Sequence, residues 1–133
     1  MYLTDTLRQV IYAYDYDAAS GEIDHRRVFI DSSSEPGYPD GLTVDSQGFL
    51  WSARWYGWKV TRYDPAGTAE REVRLPVQCP TSCAFGGPSL TDLFITSAWT
   101  ALSEEQRRQQ PMAGDLFRLQ TDITGQAPYQ YAG

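Results

Sequence analysis

Tyr38-Pro39-Asp40-Gly41-Leu42-Thr43-Val44-Asp45-Ser46-Gln47-Gly48-Phe49-Leu50-Trp51 reads as a strand, a turn and a second strand. Leu42 to Val44 is a short run of β-formers, Asp45-Ser46-Gln47-Gly48 is a connection with glycine last, and Phe49-Leu50-Trp51 resumes an extended apolar pattern. This pattern predicts a β-hairpin. Asp40 stands just ahead of the first strand, between a proline that fixes its own φ and a glycine that frees the next residue. That setting makes Asp40 the leading candidate for chemistry.

Outward from this hairpin, one two-part phrase occurs three times. Met1 to Asp5 is followed by Val10 to Asp17 and a turn at Gly21. Leu50 to Arg54 is followed by Val60 to Asp64 and a turn at Pro65-Ala66-Gly67. Leu93 to Ser97 is followed, after an insertion, by Leu116 to Gln120 and Gly125. From Met1 to Leu50 to Leu93 the offsets are 49 and 43 residues, the period of four-stranded propeller blades. The middle unit predicts strands over 42–45, 49–54, 59–64 and 70–75. The last of these alternates charged and apolar residues, as a half-exposed outer strand should.

The expected fold is therefore all-β. It is a partial β-propeller of about three four-stranded blades over 1–37, 38–78 and 79–133, the first without its innermost strand. In the insertion, Ser103 caps, Gln106 sits three residues on, acids precede bases and Pro111 stops the run. These signals predict one short surface helix. A last strand is expected over 127–133.

Composition removes several classes of function. The 133 residues carry a formal charge of −6, so no basic patch is available for nucleic acid. No run approaches the roughly 18 apolar residues of a membrane span, and the start lacks a charged and then apolar leader. A cytoplasmic protein is expected. Cys79 and Cys83 are too few for a disulfide framework, and Cys83, on one side of a strand with Phe85, reads as a buried, inert thiol. His25, the single histidine, lies among Asp24, Arg26 and Arg27 and reads as solvated.

Pro39-Asp40-Gly41-Leu42-Thr43-Val44-Asp45, Leu50-Trp51, Val60 to Gly67, Leu75-Pro76-Val77, Pro80 to Gly87 and Gln110-Pro111 together resemble the regucalcin (senescence marker protein)/gluconolactonase family. The resemblance runs almost end to end and covers the C-terminal half of that fold, a six-bladed propeller of about twice this length. It implies a metal-dependent sugar-lactone hydrolase that adds water to a small sugar lactone beside one divalent cation, calcium or zinc. Asp40 matches the family's metal-ligating aspartate, which has also been cast as the base that activates water.

The family's other ligands are a glutamate near the start of the fold and an asparagine in the third blade. Both fall ahead of Met1, and the chain has no asparagine at all. One carboxylate cannot supply the roughly six to eight oxygens of a calcium site. The chain is therefore expected to be inactive alone and to need a second copy or a missing N-terminal half.

Blade geometry places Asp5 to Gln9, Arg54 to Trp58 and the insertion over 98–113 around the same channel mouth as Asp40. Arg54 is a candidate to polarise a lactone carbonyl, and Trp55, Tyr56 and Trp58 to form a sugar-stacking wall. Surface packing is the plainer role for these four. Two other readings stay open: a non-catalytic propeller fragment that self-associates or pairs with an N-terminal half, and a carbohydrate-binding module using the aromatic cluster.

Overall fold

The computed structural model describes residues 1–128, and among them ten strands form three antiparallel sheets. The first sheet orders β1 (Tyr2–Asp5), β2 (Val10–Tyr16) and β3 (Ile23–Asp31). The second orders β4 (Tyr38–Val44), β5 (Leu50–Trp55), β6 (Lys59–Tyr63) and β7 (Ala69–Arg74), and the third runs β10 (Leu116–Gln120), β9 (Asp92–Ser97), β8 (Pro80–Gly86). These are blades of a β-propeller, the fold class the repeats predict. The last strand expected over 127–133 falls largely on residues 129–133, outside the described residues.

The middle blade shows why this sequence stacks. Period-2 alternation puts Leu50, Ser52 and Arg54 of β5 on one face and Trp51 and Ala53 on the other. Both faces are buried, because each meets another blade. Trp51, Ala53 and Val60 pack with Leu75, Val77, Cys83, Leu93, Ile95 and Ile123 toward the third blade. Leu50 and Tyr63 pack with Ile11 and Ile30 of the first. Each fully buried aliphatic side chain here is worth about 1.5–3 kcal/mol. On β7, Glu70, Glu72 and Arg74 are exposed while Arg71 and Val73 are half-buried, which suits an outermost strand.

Helix α1 (Glu104–Gln109) has the predicted capping box: Ser103 accepts from the Gln106 N–H, and the Gln106 side chain accepts from the Ser103 N–H. Cys79 and Cys83 are free and buried, and burial pushes the Cys83 thiol up to about 12. His25 is exposed and meets Asp15 at 3.1 Å. No helix among the described residues is long and apolar enough to cross a membrane.

One boundary differs from expectation in a way that matters. The first strand of the hairpin starts at Tyr38 rather than Leu42, so Asp40 lies inside β4 and not in a loop ahead of it. Proline at 39 is tolerated because the register breaks immediately afterwards. Pro39 pairs with Arg54 and Leu42 with Ser52, leaving Asp40 and Gly41 opposite Ala53 alone. Two residues facing one is a β-bulge, which re-aims a side chain at the cost of a ladder bond.

Candidate active site

Asp40 occupies this bulge, and neighbouring strands hold it there. Thr4 of β1 donates its hydroxyl to the Asp40 carbonyl at 3.0 Å. On the other flank β4 lies so close to β8 that a Cβ on Gly41 would sit 2.8 Å from Ser82 Cα, and nearer still to the Ser82 side chain. Gly41 is thus required by close approach of two strands. The Asp40 carboxyl is half-buried. Burial raises its pKa above the ordinary aspartate value, and a hydrogen bond from the Gly41 N–H partly offsets this.

The carboxyl opens onto a cleft of about 330 Å³ lined by Thr6, Leu7, Tyr38, Asp40, Trp55 and Tyr56. Tyr38 is opposite Trp55 in the β4–β5 register, and Trp55 meets Tyr56 edge-on with ring centroids 5.7 Å apart. Tyr56 and Trp58 both have φ of 61°, a left-handed conformation that costs a non-glycine residue about 1–3 kcal/mol. That strain turns Tyr56 toward the cleft, where its hydroxyl donates to the Ala101 carbonyl of the insertion at 3.4 Å. Leu7, 90% exposed, also lines the cleft.

Of the side chains singled out in the sequence, the structure brings Asp40 and Trp55 to one cleft, together with Tyr56. Trp58 is part-exposed and does not line it; its backbone pins β6 to the following segment through Gln78 and Leu75. Asp5 pairs with Arg8 at 3.6 Å. Arg54 is wholly buried, with Nη2 donating to the carbonyls of Pro36 at 3.1 Å and Gly37 at 3.0 Å. It faces away from the cleft because it shares the alternation face of Leu50 and Ser52.

Sequence reasoning passed over Tyr38, Thr6 and Leu7 as individual residues. The signal for the last two was present in the placement of residues 5–9 at the channel mouth. Asp45 and Arg62, which brace the hairpin, were also missed.

Among the described residues Asp40 is the single carboxylate in the cleft lining. Among the described residues no group of three or more His, Cys, Asp or Glu side chains is gathered for a metal ion. A hard cation needs more oxygens than this, so the chain's described residues do not by themselves fit a calcium or zinc ion. The chemistry they can perform is proton acceptance by a carboxylate of raised basicity beside an apolar, aromatic wall.

Residues 1–99 match the family described as the SMP-30/Gluconolactonase/LRE-like region. The chain is 40% identical over 133 residues to pentonolactonase XacC of Haloferax volcanii, covering 97% of this chain and 46% of that protein. To regucalcin of Danio rerio it is 38% identical over 134 residues, covering 99% of this chain and 45% of that one. The crystal structure of a calcium-binding protein, regucalcin, from Agrobacterium tumefaciens superposes with a TM-score of 0.89 at 32% identity, over 94% of this chain and 43% of that one. The chain therefore spans about half the length of the curated relatives it matches.

Proposed function

The chain belongs to the SMP-30/gluconolactonase/LRE-like family, and from that premise we propose that it forms part of a metal-dependent sugar-lactone hydrolase with Asp40 at the reacting centre. The supporting observation is a half-buried carboxyl, raised in pKa by burial, in the lining of an aromatic cleft. In this reading the ionised Asp40 takes a proton from a water molecule as its oxygen adds to the lactone carbonyl carbon. The ring C–O bond then breaks, and the departing oxygen takes that proton from Asp40, which gives the open hydroxy acid and restores the ionised carboxylate. Trp55 and Tyr56, with Tyr38, offer ring faces to the apolar side of the sugar and keep bulk water out.

A divalent cation, calcium or zinc, belongs to this proposal only with donors from a second surface, either another copy of the chain or a separate polypeptide. Bound there, it would polarise the carbonyl. Blades over 1–37, 38–78 and 79–133 and a cytoplasmic setting complete the reading; two free buried cysteines suit a reducing compartment.

Hydrolysis of pentono- and gluconolactones by the chain assembled with the second surface that completes the site, followed by acid release, tests the proposal. The expected activity disappears with chelator and with Asp40→Ala; hydrolysis that survives both overturns it.

One observation favours a second reading, a non-catalytic assembly or binding module. Among the described residues β1 and β10 are sheet edges, and each carries an exposed leucine, Leu3 and Leu116. Sedimentation showing a monomer at all concentrations would sink that alternative.

A further inference from the structure

The place of Arg54 in the fold assigns it a role apart from substrate contact. We propose that Arg54 is a positioning residue that sets Asp40 by clamping the chain leading into β4. The proposal rests on the reading of Asp40 as the reactive carboxylate.

Arg54 is 0% exposed, and its guanidinium is a fork of N–H donors with no acceptor. Its Nη2 donates to the Pro36 carbonyl at 3.1 Å and the Gly37 carbonyl at 3.0 Å, and lies 4.0 Å from Glu35 Oε2. Those carbonyls end the segment that enters β4 at Tyr38. The Arg54 backbone lies opposite Pro39, the residue before Asp40. One residue therefore grips the strand by its ladder partner and, through its side chain, by the two residues ahead of the strand.

The surroundings are cut to this grip. Gly37 has φ of 78°, and a Cβ there would lie 2.5 Å from the Trp55 carbonyl oxygen and 2.7 Å from the Gly57 nitrogen. A Cβ on Gly57 would lie 2.6 Å from Arg54 Cβ. Only glycine at both positions lets the 35–37 segment seat on the 54–57 turn. The Nε and Nη1 of Arg54 have no hydrogen-bond partner among the described residues, and neither do the hydroxyls of Thr61 and Tyr63. A half-satisfied buried cation is a poor choice for stability alone. What it provides that an apolar side chain cannot is a pair of directed bonds to the backbone at 36 and 37.

Amide hydrogen exchange of the full chain, compared between wild type and Arg54→Met, tests the assignment. Loss of the clamp frees the segment that enters β4, so residues 37–42 should exchange about tenfold faster while β2 and β9 keep their wild-type rates, with partial restoration in Arg54→Lys. Unchanged exchange over 37–42 in folded Arg54→Met, or a rise spread evenly over all strands, overturns the proposal. Wild type supplies an independent reading if the variant does not fold: slow-exchanging Arg54 Nη protons coupled to the carbonyls of Pro36 and Gly37 are required, and fast-exchanging, uncoupled ones overturn it. Lactone assays bear on Asp40 as reactive group and leave these readouts untouched, so the two failures are distinguishable.

Discussion

Replacing Asp45 with alanine should unfasten the hairpin that carries Asp40. Asp45 Oδ1 accepts from the N–H groups of Gln47 at 2.9 Å and Phe49 at 3.1 Å, which closes the turn. Its Oδ2 accepts from Trp51 Nε1 at 2.9 Å and Arg62 Nε at 2.9 Å, with Arg62 Nη2 at 2.8 Å. Asp45 is 0% exposed and Arg62 3%. Breaking a buried pair from one side costs about 3–5 kcal/mol, and a buried indole N–H left unpaired about 1–3 kcal/mol more.

Some of that loss is absorbed locally. Arg62 keeps Glu70 at 2.9 Å and Gln47 at 2.6 Å, and its guanidinium stacks 3.7 Å from the Phe49 ring centroid. The net expectation is about 4 kcal/mol, read as a lower urea midpoint at unchanged slope. Asp45→Asn keeps the turn bonds but turns an NH₂ toward the donors of Trp51 and Arg62, so it should recover only part. A loss below about 1 kcal/mol for the alanine variant would refute the view that this network holds the hairpin.

Three further outcomes are expected. Gly41→Ala places a methyl 2.8 Å from Ser82 Cα, and overpacking of that kind should destabilise by about 1–3 kcal/mol in urea unfolding. Asp40→Asn should raise the melting temperature at neutral pH. The folded-state pKa of Asp40 is raised by burial, so its contribution is favourable below the ordinary aspartate value and is lost as pH rises through the folded one. The gain from the uncharged amide should accordingly vanish in acid. Cys83, pushed up to about 12 by burial, should resist thiol reagents in the native protein and react on unfolding; rapid native labelling at Cys83 would contradict the buried placement.

The hairpin over 38–51, the blade strands and α1 were legible in the sequence because local chemistry writes them: alternation along β5 and β7, glycine in turns, a capping box at Ser103 and Gln106. The bulge was not. Nothing in Pro39-Asp40-Gly41 says that Thr4 reaches the Asp40 carbonyl or that Ser82 crowds Gly41, since both contacts join distant parts of the chain. Arg54 misled for a related reason. Its number places it at the channel end of β5, while period-2 alternation sends its side chain to the Leu50 face, under the 35–37 segment. Trp55, the next residue, faces the cleft. In the sequence Asp45 is only the first residue of the connection, and the register that puts Trp51 opposite Arg62 exposes its bracing role.

As proposed, Asp40 supplies one ligand to a divalent cation whose other donors come from a second surface, so the chain by itself should hold such a cation only weakly, at Asp40. Paramagnetic Mn²⁺, added in small amounts to isotope-labelled protein, reports the location of even weak binding by broadening nearby resonances. Broadening is expected to centre on Asp40, Gly41 and Thr6, to be reversed by excess calcium or zinc and to be absent in Asp40→Ala. Broadening centred instead on the acidic residues Asp15, Asp17, Glu22 and Asp24, with the Asp40 signals unaffected, would contradict the proposal.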